Sequence, residues 1–217
     1  MTGGLRERNR AAAMRRIQTV ALDLFDAEGF DAVTIERIAE AAEVSPSSVY
    51  RYFGTKERLV LWDEWDPRLS ELFLGADDGA LLDGLRRAIR SVVGGLGEEG
   101  EARIRRRMRL MMATPAVEAA AAGHTYAASE VLGEALAAHL GRAAVDLEVQ
   151  IFAHASVGSL LGALHHWHGT GFAEPLGEVL ERSVDILASG AGGAIGANGA
   201  GCAESGDGAS GPRGAAR

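Results

Sequence analysis

The chain has 217 residues, 47% of them apolar, with 22 Lys+Arg against 30 Asp+Glu and a net charge of −8. That length suits one moderate domain or a small domain joined to a larger one, and the apolar content is enough for a sizeable core. The single cysteine, Cys202, excludes an internal disulfide and a cysteine-rich metal site. No run approaches the roughly 20 apolar residues of a membrane span, and the basic start "MTGGLRERNRAAAMRR" lacks a signal peptide's apolar stretch. The expectation is a cytoplasmic protein with no membrane partner.

The negative charge is unevenly placed. Residues 1–60 hold 9 basic and 9 acidic residues, so the whole excess lies in residues 61–217, with 13 and 21. At the N-terminus Arg6, Arg8, Arg10, Arg15 and Arg16 stand against Glu7 alone. Phosphate attraction depends on nearby charge more than on the total, so this end can meet a nucleic acid.

In chain order, Ala13, Ile17, Val20, Ala21, Leu24 and Phe25 recur at helical spacing and predict a helix over 9–28, stopped by Gly29, with Phe30 folding back on its end. Thr34 caps a short second helix whose inner face is Ile35, Ile38, Ala39 and Ala42. A tight turn through Glu43 leads to Ser45-Pro46, a cap followed by a proline at the first helical position. The third helix runs to Phe53, Gly54 closes it, and Thr55 caps a fourth, which is expected to continue through Trp62 and Trp65 to a kink at Pro67. Two short helices across a tight turn form a helix-turn-helix. Further helices are predicted at 80–93, 98–113, 115–140, 146–168 and 175–188, with Thr114-Pro115 as another capped start. Nothing alternates like a strand. The glycine- and alanine-rich segment 190–217 reads as a disordered tail.

The third helix carries the chemistry. Val49 and Phe53 lie four apart and point inward, which leaves Ser47, Tyr50 and Arg51 on the opposite face. A helix fits the DNA major groove, arginine can bond both guanine acceptors, and the hydroxyls can meet base edges or phosphates. Lys56, the chain's one lysine, starts the fourth helix, where an ammonium and free backbone amides can share a phosphate.

The stretch "FDAVTIERIAEAAEVSPSSVYRYFGTKERL" resembles the DNA-binding domain of TetR-family transcriptional regulators, all-helical homodimers that are mostly repressors. The resemblance implies that Ser45, Pro46, Ser47, Ser48, Tyr50 and Arg51 face bases or nearby backbone, and that Thr34, Tyr52 and Lys56 hold phosphates. Glu43 departs from the glycine often found in the turn. The segments "RRRMRLMMATPAVEA" and "GALHHWHGTG" resemble the regulatory domain of an actinobacterial-type TetR subgroup. The expected fold is all-α. It comprises a flexible basic arm (1–9), a three-helix DNA-binding domain (10–60), a larger helical effector-binding and dimerisation domain (61–189) and the tail.

An apolar effector is expected near Trp62, Met108, Met111, Tyr126 and Phe152, on helices that should face one another. The dimer seam is expected on Ala155, Gly158, Gly162 and His165, because glycines four apart weaken a helix unless another helix comes close. "HHWH" at 165–168 lacks a carboxylate or cysteine to complete a metal set, so no metal or cofactor is expected. "RIRRRMR" at 103–109 reads as a solvated helix face partly neutralised by acidic neighbours. No nucleophile elbow, phosphate loop or HExxH spacing is present, so an enzyme is not expected. The reading is a ligand-responsive repressor binding a palindromic operator on double-stranded DNA. The alternatives are an activator of the same family, or an all-α small-molecule-binding protein or enzyme.

Overall fold

The computed structural model describes residues 3–63 and 81–190, and among them every regular element is a helix. In chain order these are α1 (Gly3–Glu28), α2 (Ile35–Ala41), α3 (Pro46–Phe53), α4 (Lys56–Leu61), α5 (Leu81–Ala113), α6 (Pro115–Leu140), α7 (Leu147–Gly169) and α8 (Leu176–Ala188). Trp65, Pro67 and the segment 191–217 lie outside the described residues.

The head is built as its periodicity requires. Ile17, Ala21, Leu22 and Phe25 of α1 pack on Ile38 and Ala39 of α2 and on Val49 and Phe53 of α3, all buried. Phe30 folds back against Phe25, with ring centroids 4.9 Å apart, beyond Gly29 at φ 85°. The turn before α3 places Glu43 at φ 54°, in the left-handed region that favours glycine. The chain bonds on either side fix it there, Glu43 N donating to Glu40 O and Val44 N to Ala39 O.

Four sequence expectations need correction. The segment 3–9 continues α1 and is helical, where a flexible arm was expected. The fourth helix stops at Leu61, and Trp62 turns to φ −59°, ψ 127°, because side chains from two other helices take its last carbonyls. Pro115 starts α6 as expected, but the Thr114 side chain makes no capping bond. Finally, α7 is long and apolar enough to cross a membrane by length and composition, with a mean hydropathy of 1.3. It is a bundle helix, packed against α6 and α8.

The bundle holds the larger domain. The two helices expected at 80–93 and 98–113 form α5, broken at Gly97 with φ 60° and ψ 179°, a conformation essentially reserved for glycine. Trp167 is fully buried among Ala163, Leu176 and Val179, and its Nε1 donates to Glu174 O at 2.7 Å. Head and bundle are continuous, since Leu59, Val60 and Leu61 of α4 belong to one apolar cluster with Met108, Met111 and Val117.

Candidate nucleic-acid interface and ligand cavity

Three local devices fix the proposed DNA-reading face. Ser45 caps α3, its Oγ accepting from Ser48 N at 3.2 Å and lying 2.9 Å from the hydroxyls of both Ser47 and Ser48. Val49 and Phe53 anchor the inner face at 0% and 3% exposure, while Tyr50 is 50% exposed. Gly54, at φ 77°, ends the helix. Pro46, Ser47, Tyr50 and Arg51 therefore share the outer surface, and Ser48 is half-buried.

The flanking residues behave less uniformly. Tyr52 packs on the head core and carries two guanidinium groups on its ring, Arg51 at 5.0 Å and Arg10 at 5.9 Å. Arg10 is a basic contact that the helical start of the chain brings to this face. Thr34 is exposed and caps α2 by accepting from Arg37 N at 3.1 Å. Lys56 has partners within the fold that the sequence did not announce: its Nζ donates to Phe30 O (2.7 Å) and Val33 O (3.1 Å) and sits 4.3 Å from the Phe30 ring. It ties α4 to the α1–α2 loop, using donors that a purely phosphate-facing lysine would keep for DNA. Arg16 likewise serves the fold, donating to Ala42 O at 2.6 Å.

A cavity of about 700 Å³ opens between α4, α5, α6 and α7. Met108 and Met111 line it, as expected, together with Val60, Leu61, Leu132, Leu160 and Leu164. The other three expected effector residues point elsewhere. Tyr126 is 62% exposed and stacks edge-on with His154. Phe152 packs with Leu136 and Val149 in a separate cluster, and Trp62 leans on Phe53. Tyr126 and Phe152 lie on cavity helices but face away from the cavity, because helical spacing does not fix how a helix is rotated in its bundle, and Trp62 lies just past the end of α4.

The sequence reading missed the polar end of this cavity, formed by Arg58, Asp63, Arg107 and His124. His124 is held below its ordinary pKa of 6.5 by burial first, then by the charges of Arg58 and Arg107, against a smaller opposing effect of Asp63. The signal available was a charged or titratable residue on an otherwise apolar stretch of α6. The basic run at 103–109 is partly neutralised, as expected, and some of its partners lie beyond its own helix. Arg106 pairs with Asp23 and Asp26 of α1, and Arg107 with Asp63.

The expected dimer seam is open to solvent. Gly158, Gly162 and His165 are exposed and Ala155 is half-buried, with Ile151 (59% exposed) on the same face. A side chain built at Gly158 or Gly162 would meet nothing within 4 Å. Among the described residues, packing against another helix of the same chain therefore does not explain these glycines.

Comparison with known proteins agrees with this layout. Residues 17–61 match the family described as bacterial regulatory proteins, tetR family, and residues 79–192 match the MftR C-terminal domain. A Mycobacterium tuberculosis protein provisionally named the mycofactocin biosynthesis transcriptional regulator MftR is 28% identical over 84% of this chain and 93% of its own length. The HTH-type transcriptional regulator TcmR of Streptomyces glaucescens is 41% identical over 58 residues, 27% of this chain and 26% of its own. Among solved structures, a SmeT–triclosan complex shares the fold with a TM-score of 0.54 at 20% identity, covering 82% of this chain and 91% of that one.

Proposed function

This chain belongs to the TetR family of bacterial transcriptional regulators, and on that premise we propose that it is a dimeric repressor released from a palindromic operator by an apolar small molecule. Residues 10–60 are the DNA-binding head and 61–189 the effector-binding and dimerisation domain. The observation that carries the reading is the two-sided third helix. Its inner face is buried to within 3% at Val49 and Phe53, and its outer face presents Ser47, Tyr50 and Arg51. A helix so capped and anchored offers a rigid row of donors at the width of a major groove.

The cavity supplies the effector half of the proposal. About 700 Å³ lined by methionine, leucine and valine is within the usual size of a small-molecule site. It touches Val60 and Leu61 of α4, the element that joins head to bundle. A ligand preferring one position of α4 shifts the spacing of the two heads in a dimer and so the fit to paired half-sites. The exposed glycine face of α7 is the proposed seam. The relatives' names, both transcriptional regulators, weigh against the enzyme alternative.

The test is DNA selection from a random pool with the full chain. Enrichment of an inverted repeat supports the reading, and retention of all sequences alike counts against it. A thermal-shift screen of hydrophobic compounds addresses the effector half, since a bound ligand raises apparent stability by mass action. Binders that never release the selected DNA would leave a regulator without this form of control.

A further inference from the structure

The carbonyl end of α4 is held from two sides. The last carbonyls of a helix lack partners within it and must find them elsewhere. From the head, Gln18 Nε2, 1% exposed as a residue, donates to Leu59 O and Trp62 O at 2.8 Å each. From the bundle, Arg107 of α5 donates through Nε to Val60 O (2.7 Å) and through Nη2 to Leu61 O (2.8 Å). Its Nη1 pairs with Asp63 at 2.7 Å. Arg107 and Asp63 are also walls of the cavity, so one guanidinium touches both the ligand space and the joint to the head.

The chemistry of that end is specific. Among the charged lining residues, Arg58 and Arg107 face one carboxylate, Asp63. His124 registers the resulting field: burial first, then the charges of Arg58 and Arg107, lower its pKa, and Asp63 only partly offsets them. The rest of the wall is mostly apolar, including Leu85, Met111 and Leu160, with Thr125 and Ser156 as its hydroxyls. An apolar body ending in one acid group complements both parts. Arginine binds carboxylates through paired N–H donors, so an incoming acid competes directly with Asp63 for the same fork.

We propose that the polar end of this cavity is an acid-binding site, where the acid group of an apolar ligand draws Arg107 from Asp63 and loosens the carbonyl end of α4. The inference rests on the effector reading above and names both the ligand class and the switch. Differential affinity is what moves the equilibrium, and the acid supplies it by binding best when Arg107 has turned into the cavity.

The probes are decanoate and decan-1-ol, which share an apolar body and differ in the acid. Calorimetry on the full chain compares wild type with Arg107→Gln, Arg107→Lys and Asp63→Asn. Decanoate is expected to bind wild type more tightly than the alcohol and to lose about tenfold in Arg107→Gln, a loss of one charge-assisted pair. Arg107→Lys, which keeps the charge without the fork, should retain part of that binding and guards against a folding failure of the glutamine variant. Asp63→Asn, lacking the competitor, should bind decanoate more tightly. Decan-1-ol should not distinguish the variants.

Hydrogen exchange in peptides spanning 56–63 should quicken with decanoate and not with the alcohol. Equal binding of the two probes, or decanoate binding untouched by both Arg107 variants, would refute the acid site and leave the apolar cavity standing. Unchanged or weaker binding in Asp63→Asn, or slower exchange at 56–63, would refute the displacement. Binding of neither probe would instead overturn the effector reading itself.

Discussion

Arg51 and Lys56 were grouped by sequence as two DNA contacts, yet their surroundings give them different duties. Arg51 is exposed on the outer face of α3, its guanidinium resting on the Tyr52 ring with Nη2 3.5 Å from the Tyr52 hydroxyl. Both contacts are at the surface, where a base edge can replace them. Arg51→Ala should cost about 1–3 kcal/mol on the selected operator and relax base preference at one position per half-site, measured by competition binding. Lys56 is bound to two loop carbonyls 26 and 23 residues away. Lys56→Ala should therefore lower the melting temperature as well as DNA affinity, by about 1–3 kcal/mol for a lost charged donor. Unchanged melting with a flattened salt dependence would restore the simple phosphate role.

His124 adds a pH signature. A histidine whose folded pKa lies below its unfolded value binds fewer protons when folded, so its neutral form supports stability above about 6.5. That support is lost as pH falls through 6.5 towards the lowered folded value. His124→Gln should flatten this part of the stability curve in denaturant titrations run from pH 7.5 to 5.

At the scale of elements, the head was legible because its signals are local. Ser45-Pro46, Gly54 and the four-residue spacing of Val49 and Phe53 each act within a turn or two, and each structural consequence follows. The break in α5 was legible as the gap between the helices expected at 80–93 and 98–113, within which Gly97 falls. Gly97→Ala should destabilise the chain by about 1–3 kcal/mol, since φ 60° with ψ 179° clashes with a side chain that nothing else crowds. A thermal scan with unchanged midpoint would show that the break can straighten into continuous helix.

The partners of Gln18, Lys56 and Arg107 were not legible, because each bonds a carbonyl at least 23 residues away and no spacing announces that. The cavity was half legible for a related reason. Composition placed methionines near it, but the rotation of α6 and α7 sent Tyr126 outward and Phe152 into another cluster.

At the scale of the whole molecule, an acidic protein binds DNA by keeping its excess negative charge away from the head. Residues 1–60 are neutral overall, and Arg10 and Arg51 converge on Tyr52 beside the reading face. The second requirement is pairing. The apolar face of α7 through Ile151, Gly158 and Gly162 is left uncovered by the described residues, and two copies joined there would present two recognition helices to one duplex. Gly158→Leu should give a folded monomer by light scattering and circular dichroism that has lost tight operator binding. A stable dimer with normal affinity would move the seam elsewhere.

The most direct measurement is quantitative binding of the full chain and of Arg51→Ala to DNA selected from a random pool, with sedimentation of the complex to count subunits. The expected result is an inverted repeat with half-sites about one helical turn apart, two chains per site, and a marked loss of affinity in Arg51→Ala with its helix content intact. Selected DNA with no repeat, bound equally by wild type and Arg51→Ala, would contradict it.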